Sequence, residues 1–260
     1  MIKALFFDID GTLVSFNTHK IPQSTIEALS LAKTKGIEIY ISTGRPYALI
    51  NNIDEIKYLV NGYITANGAY CFYGEKIISC SPIPQEDVRL VIQKAEKMNF
   101  ACMIVGEEDL TMYNSNAKVD RIFKKMLNVS DLGENISLEK VLKQRILQLT
   151  PVITEQEEFE ILPLLKHVVS SRWCSDFADI TAKGVNKAKG LIEIANWKGF
   201  DLSQTMAFGD GGNDLEIIKA AGIGIAMGNA NSILKEAANY VATSIDDDGI
   251  YNALRYWKII

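Results

Sequence analysis

The feature that most constrains this 260-residue chain is a set of short apolar runs, each ending in carboxylates, hydroxyls or glycines. Ala4-Leu5-Phe6-Phe7 runs into Asp8-Ile9-Asp10-Gly11-Thr12, and Ile37–Ile41 runs into Ser42-Thr43-Gly44-Arg45. Tyr63-Ile64-Thr65 is followed by Ala66-Asn67-Gly68, and Met206-Ala207-Phe208 by Gly209-Asp210-Gly211-Gly212-Asn213-Asp214. Runs this short and this continuously apolar suit strands buried on both faces, the condition of a parallel sheet. Open parallel sheets bind ligands beyond the carboxyl ends of their strands. The polar groups therefore stand where such a sheet places its site.

Between the runs lie stretches of helical character, and this alternation argues for α/β architecture. The first strand is expected at Lys3–Phe7. A helix at Pro22–Lys35, a strand at Ile37–Ile41, a helix at Pro46–Lys57 and a strand at Tyr63–Thr65 follow. The last third repeats the pattern, with helices at Lys187–Trp197, Asp214–Ala221, Ser232–Asn239 and Ile250–Tyr256. Its strands are expected at Thr205–Phe208, Ile223–Ala226 and Tyr240–Ala242. The middle reads differently. Helices at Gln85–Met98, Lys118–Leu127 and Glu155–Lys166 mix with a hairpin, Ala101–Val105 and Asp109–Tyr113, around Gly106-Glu107-Glu108. Further strands are expected at Gln144–Val152, Val168–Arg172 and Phe177–Ile180. This is α+β, and it reads as an inserted domain over 83–182, leaving 1–82 and 183–260 as a Rossmann-like core.

Composition excludes several function classes. With 48% hydrophobic and 23% charged residues the chain is ordinary globular material. Its net charge is −5 and no basic tract stands out, which argues against a nucleic-acid partner. No apolar stretch reaches membrane-spanning length, and the N-terminal run lacks a small-residue cleavage site, so a cytoplasmic protein without a membrane partner is expected. Cys71, Cys80, Cys102 and Cys174 are scattered and read as reduced thiols. His19 and His167 are isolated, which leaves no histidine cluster for a metal.

The strand ends suggest one chemistry when taken together. Asp8 and Asp10 are two apart, so at an extended strand end both point the same way. Carboxylates this close repel unless a cation lies between them. Asp210, with Asp214 as a further candidate, adds oxygen donors, and hard oxygen ligands suit Mg²⁺ beside a substrate phosphate. Asp8 is then placed to attack phosphorus and Asp10 to serve as acid and base. The Thr43 hydroxyl is a candidate phosphate contact, and Lys187, at a helix start, is a candidate to neutralise developing charge. Singly, each motif has a plainer reading. A lone Asp-x-Asp is usually a surface turn, Gly211–Asp214 a loop with a helix cap, and Lys187 a solvated helix residue. Four ordered motifs at strand ends are hard to explain as independent turns.

Asp8-Ile9-Asp10-Gly11-Thr12, Ser42-Thr43-Gly44-Arg45, Lys187 and Gly209–Asp214 resemble the four ordered motifs of the haloacid dehalogenase (HAD) superfamily. The insertion resembles the cap of its Cof-type, IIB sugar-phosphatase group. The likeness covers nearly the whole chain and is close to bacterial hexose-phosphate phosphatases, whose cap end also carries Arg172-Trp173 and Phe177-Ala178-Asp179. The resemblance implies an aspartyl-phosphate on Asp8, with Asp10 as acid/base. It implies a Mg²⁺ site completed by the Asp10 main-chain carbonyl and Asp210, with Asp214 ordering the outer shell. Thr43, Gly44, Lys187 and Asn213 would contact phosphate. The cap would choose the leaving group, with Arg172, Trp173, Asp176, Phe177 and Asp179 as candidates. Arg45 reads either as a bidentate phosphate contact on the substrate side or as a structural ion pair. Each cap candidate is equally readable as an ordinary sheet residue. Asn67 is readable as a rim residue or as part of a turn, and Asp246-Asp247-Asp248 as a solvated loop.

The expected activity is hydrolysis of a small phosphate ester, a hexose or other sugar phosphate. A phosphomutase or phosphotransferase would share the aspartyl-phosphate, a signalling receiver would need no domain-sized cap, and a non-catalytic binder can occupy the same fold. A nicotinamide dehydrogenase is disfavoured, since no Gly-x-Gly-x-x-Gly follows the first strand.

Overall fold

The computed structural model describes residues 1–126, 129 and 131–260. In chain order its strands are β1 (Ala4–Phe7), β2 (Glu38–Ser42), β3 (Gly62–Thr65), β4 (Tyr70–Tyr73), β5 (Lys76–Cys80), β6 (Cys102–Gly106), β7 (Leu110–Tyr113), β8 (Ile146–Pro151), β9 (Val168–Cys174), β10 (Phe177–Ala182), β11 (Thr205–Gly209), β12 (Ile223–Ala226) and β13 (Tyr240–Val241). The chain forms two compact units. One comprises 1–44, 50–79 and 186–260; the other comprises 45–49 and 80–185. Segment Arg45–Leu49 thus groups with the inserted unit.

The first unit is built on one sheet, ordered β13-β12-β11-β1-β2-β3-β4-β5. Strands β13 to β3 in that order run parallel, and β4 turns back antiparallel on β3. Both faces are covered. Leu5, Phe7, Ile39, Ile41, Met206 and Phe208 pack to one side, against Ala28, Leu29 and Ala32 of helix Gln23–Thr34 and Ile250, Ala253 and Leu254 of helix Gly249–Tyr256. Ala4, Phe6, Tyr40 and Ala207 pack to the other, against Leu191 and Ile194 of helix Lys187–Lys198 and Ile217 and Ile218 of helix Leu215–Ala220. Alternating side chains are thus buried on opposite faces, which is why the strands read as short, largely apolar runs.

The second unit carries an antiparallel sheet ordered β7-β6-β8-β10-β9. One face buries Cys102, Ile104, Ile146, Leu149 and Ile180 against Val88, Val91 and Ala95 of helix Gln85–Met98. The other gathers Met103, Val105, Leu110, Met112 and Phe177 with Ile122 and Phe123. The architecture is therefore a parallel-sheet core with an inserted α+β unit, as expected. No helix among the described residues is long and apolar enough to cross a membrane.

Several element expectations are corrected. Pro46–Lys57 is not a helix but two single 3-10 turns, Tyr47–Leu49 and Lys57–Leu59. Between them Asn52 takes a left-handed φ of 60°, and asparagines compete with a helix by bonding nearby backbone. Strands β4 and β5 were not anticipated, although Tyr70–Tyr73 is an aromatic run of strong β preference followed by Gly74-Glu75. The helix expected over Glu155–Lys166 stops at Ile161, because Pro163 in the following 3-10 turn has no N–H to give. Lys118–Leu127 is a short α-turn, Ala117–Val119, running into a π-helix, Asp120–Met126; its last residue lies outside the described residues.

Phe6 is fully buried and stacks on Tyr40 with ring centroids 4.8 Å apart. Phe6→Ala is expected to lower stability by about 3–5 kcal/mol through lost burial and the cavity left behind. Urea denaturation checks this, and a loss below about 1 kcal/mol would contradict the packing described.

Candidate active site

The carboxyl ends of β1 and β11 lie side by side, with Phe7 opposite Phe208. Asp8 follows the first and Asp210 the second, and the Asp8 N–H donates to the Phe208 carbonyl at 3.1 Å. The chain then turns through Gly11 at a φ of 81°, where a Cβ would overlap the Asp210 carboxylate. Only glycine allows both that conformation and that approach. Thr12 Oγ1 donates to Asp210 Oδ1 at 3.2 Å, and Asn229 Nδ2 donates to the Gly11 carbonyl at 2.8 Å.

Lys187 comes from the opposite end of the sequence. Asn186 caps its helix by accepting from the Lys189 N–H at 2.8 Å, which places Lys187 in the first turn. The lysine has no solvent exposure, and its Nζ donates to Asp8 Oδ1 and Asp214 Oδ1, both at 2.6 Å. Asp214 is equally enclosed: its Oδ2 accepts from the N–H groups of Asp210 and Gly211 at 3.1 and 3.0 Å. Both of its oxygens are therefore engaged within the protein.

Electrostatics follow from this crowding. Burial raises the Asp8 pKa well above the usual carboxylate range; Lys187 opposes that, and Asp214, Asp210 and Asp10 add to it. Burial and the neighbouring Asp214 push Asp210 up to about 7, against the bond from Thr12 and the charge of Lys187. Burial works against the charge on Lys187, but Asp214 and Asp8 outweigh it and hold its pKa above the ordinary value. Among these five residues four carboxylates share one ammonium.

That donor set fits a hard divalent cation. Asp8, Asp210 and Asp214 each offer a carboxylate oxygen, and these oxygens lie within 4.8 Å of one another. Oxygen donors without sulfur or imidazole suit Mg²⁺. Asp10 stands at the edge of this group, close enough for its charge to raise both Asp8 and Asp210.

The remaining motifs meet beside β3. Thr43 is buried, its N–H donating to the Ile64 carbonyl at 2.8 Å. Asn213 Nδ2 donates to Asn67 Oδ1 at 3.0 Å, and Gly44 lies over this pair: a Cβ there would meet Asn67 Oδ1 at 3.1 Å and Asn213 Nδ2 at 3.3 Å. Asp8, Asp10, Thr43, Gly44, Lys187, Asp210, Asn213 and Asp214 thus all belong to the first unit. Sequence reading left Asn67 between two roles and missed Asn186 and Asn229 altogether. Asn186, three residues before Lys189, was readable as a helix cap; Asn229 carries no local signal.

Arg45, Arg172, Trp173, Asp176 and Asp179 belong to the second unit. Arg45 Nη1 donates to the Leu49 carbonyl at 3.1 Å. Arg172, on β9 beside Trp173, pairs with Glu158 at 2.7 Å and donates to the carbonyls of Ile153, Cys174 and Ser175. Asp176 pairs with Arg121 at 2.8 Å. Asp179 is buried and accepts from Gln148 and Thr150 at 2.7 and 2.8 Å.

The haloacid dehalogenase-like hydrolase profile matches residues 5–254. The chain belongs to this family. Bacillus subtilis YkrA is 30% identical over 256 residues, covering 97% of this chain and 96% of that protein. Another Bacillus subtilis relative, the 5-amino-6-(5-phospho-D-ribitylamino)uracil phosphatase YcsE, is 29% identical, covering 99% of this chain and 96% of that one. A solved structure of the HAD subclass IIB sugar phosphatase BT4131 superposes with a TM-score of 0.93 at 49% identity, over 99% of this chain and 100% of that chain. This HAD-family hydrolase is accordingly a phosphatase.

Asp210 supplies a test of the site's charge. Its folded pKa of about 7 stands above the ordinary value of 3.8, so the folded chain binds its proton more tightly than the unfolded chain does. That contribution favours folding at acid pH and is lost as pH rises through about 7. In chelator, Asp210→Asn is expected to gain stability relative to the wild type between pH 4 and about 7. A wild-type-minus-variant difference that stays flat across this range, measured by urea denaturation, would contradict the raised pKa.

Proposed function

We propose that this phosphatase hydrolyses hexose or related sugar phosphates through an aspartyl-phosphate on Asp8, with Mg²⁺ as cofactor. The observation that carries the reading is the buried lysine shared by Asp8 and Asp214 at 2.6 Å, with Asp210 alongside. A cluster that keeps several carboxylates out of water around one cation is organised for charge, not for packing. The similarity to the sugar phosphatase BT4131 supports the substrate class.

In this reading an Asp8 oxygen attacks phosphorus and the bond to the leaving oxygen breaks, with Asp10 donating the proton that the leaving alkoxide needs. Asp10 then takes a proton from water, whose oxygen attacks the phosphoryl group and releases inorganic phosphate, restoring Asp8. Lys187 holds Asp8 in place and offsets the charge that gathers on the phosphoryl oxygens. Thr43, Gly44 and Asn213 bind those oxygens. Asp8, Asp210 and the Asp10 main-chain carbonyl would hold Mg²⁺, with Asp214 ordering its outer shell. When bound, the cation shields the carboxylate from the phosphate it must approach. Asp214 suits that outer role, since both its oxygens are already bonded to Lys187 and to main-chain N–H groups. Leaving-group choice falls to the inserted unit, with Arg45, Arg172, Trp173, Asp176 and Asp179 as its candidates.

Phosphate release from a panel of sugar phosphates, nucleotides and an aryl phosphate tests this. Turnover is expected with Mg²⁺ and not with chelator, and highest on sugar phosphates. Asp8→Asn is expected to fold and to lose at least about 10³-fold in kcat. Substantial activity in that variant would remove Asp8 as nucleophile, and a preference for nucleotides would overturn the substrate class.

A further inference from the structure

The turn after β3 places three consecutive residues in the left-handed region. Ala66, Asn67 and Gly68 follow one another at φ values of 49°, 54° and 99°. Glycine enters the left-handed region freely and asparagine tolerates it, whereas alanine does so against steric resistance. Such strain persists only where the surroundings over-determine it. Three contacts do so here. The Asn67 N–H donates to the Thr43 carbonyl at 3.1 Å, and Asn67 Oδ1 accepts from Asn213 Nδ2 at 3.0 Å. Gly68 abuts Asn186, whose carbonyl oxygen a Cβ would overlap. The turn therefore touches the segments that carry Thr43, Asn213 and Lys187.

We infer that Asn67 is a positioning residue whose carboxamide oxygen fixes which way round the Asn213 carboxamide lies, so that an N–H and not an oxygen is turned toward phosphate. This rests on the phosphatase reading of the same site. Asn213 Nδ2 carries two hydrogens, and giving one to Asn67 pins the nitrogen on that side. Asn213 Oδ1 is then held over Gly211, where a Cβ would meet it at 2.8 Å. Rotated by half a turn, the carboxamide would bring its oxygen against Asn67 Oδ1 and present an acceptor to an anion. Asn67 is itself 5% exposed, so water competes little for this bond. The strained backbone is what delivers its side chain to Asn213, and Asn67 acts through that residue without touching the reacting atoms.

Asn67→Gly separates the side chain from the backbone, because glycine keeps the left-handed turn while removing the carboxamide. The test is a cycle of Asn67→Gly, Asn213→Ala and the double variant. It reads kcat/KM on an aryl phosphate and affinity for inorganic phosphate, both with Mg²⁺. Asn67→Gly is expected to keep its melting temperature within a few degrees and to lose about 10- to 100-fold in kcat/KM, mainly in kcat. In the Asn213→Ala background the same change is expected to cost less than about 2-fold, since the residue it positions is gone. Near-wild-type activity of Asn67→Gly, or losses that multiply in the double variant, would overturn the inference. A wild type that binds phosphate but releases none from any ester would instead overturn the phosphatase reading, and the cycle read on phosphate affinity would still decide the role of Asn67.

Discussion

The site depends on a lysine with no contact with water. Removing an ammonium from solvent is costly, and only close, well-aligned partners offset it. Lys187 has two, Asp8 and Asp214, each at 2.6 Å. These bonds tie together a residue after β1, a residue after β11 and the first turn of a helix from the last third of the chain. The three segments are thereby held in a single arrangement. The lysine does not neutralise the group, however. Asp210 and Asp10 add negative charge, and burial with that charge raises the pKa of both Asp8 and Asp210. A divalent cation held there, as proposed, would relieve the repulsion that folding creates and would link metal affinity to stability.

The sheet makes this concentration of charge possible. β1 lies between β11 and β2, the strands leading away from it in opposite directions. Such a position opens a crevice beyond the strand ends, because the connections depart to opposite faces. The strands themselves supply rigidity. Phe6 and Phe7 are buried on opposite sides, one stacked on Tyr40 and the other on Phe208. Asp8 therefore leaves a backbone packed on both faces, which suits the nucleophilic role proposed for it.

Legibility in the sequence followed the physics of each segment. β1, β2, β3 and β11 could be read because doubly buried strands are largely apolar and because polar groups then interrupt them abruptly. The segment over 46–57 misled, since its apolar residues fit a helical period while Asn51 and Asn52 favour turns. β4 and β5 are harder to read, since the aromatic run Tyr70–Tyr73 follows directly on the Ala66–Gly68 turn and lacks the polar strand end that marks the others. Most candidate site residues were legible as residue types beyond strand ends, and Lys187 as the start of a helix. The bonds among them were not: nothing in sequence spacing says that Lys187 reaches both Asp8 and Asp214, or that Asn67 meets Asn213.

The inserted unit shows why charged residues alone say little about a site. Arg172 could be read as a substrate contact, yet its guanidinium donates to Glu158 and to three main-chain carbonyls. Asp179 is buried and receives donors from Gln148 and Thr150 on the neighbouring strand. Polar groups arranged in this way stiffen a small sheet whether or not a ligand is present. The first unit differs in one physical respect. Its carboxylates outnumber the cation they share, and they gather their oxygens in one place. A polar group whose needs the protein already meets is equally at home in a scaffold or a site. A cluster left with excess charge asks for something from outside, and that excess is the better guide to where the chemistry occurs.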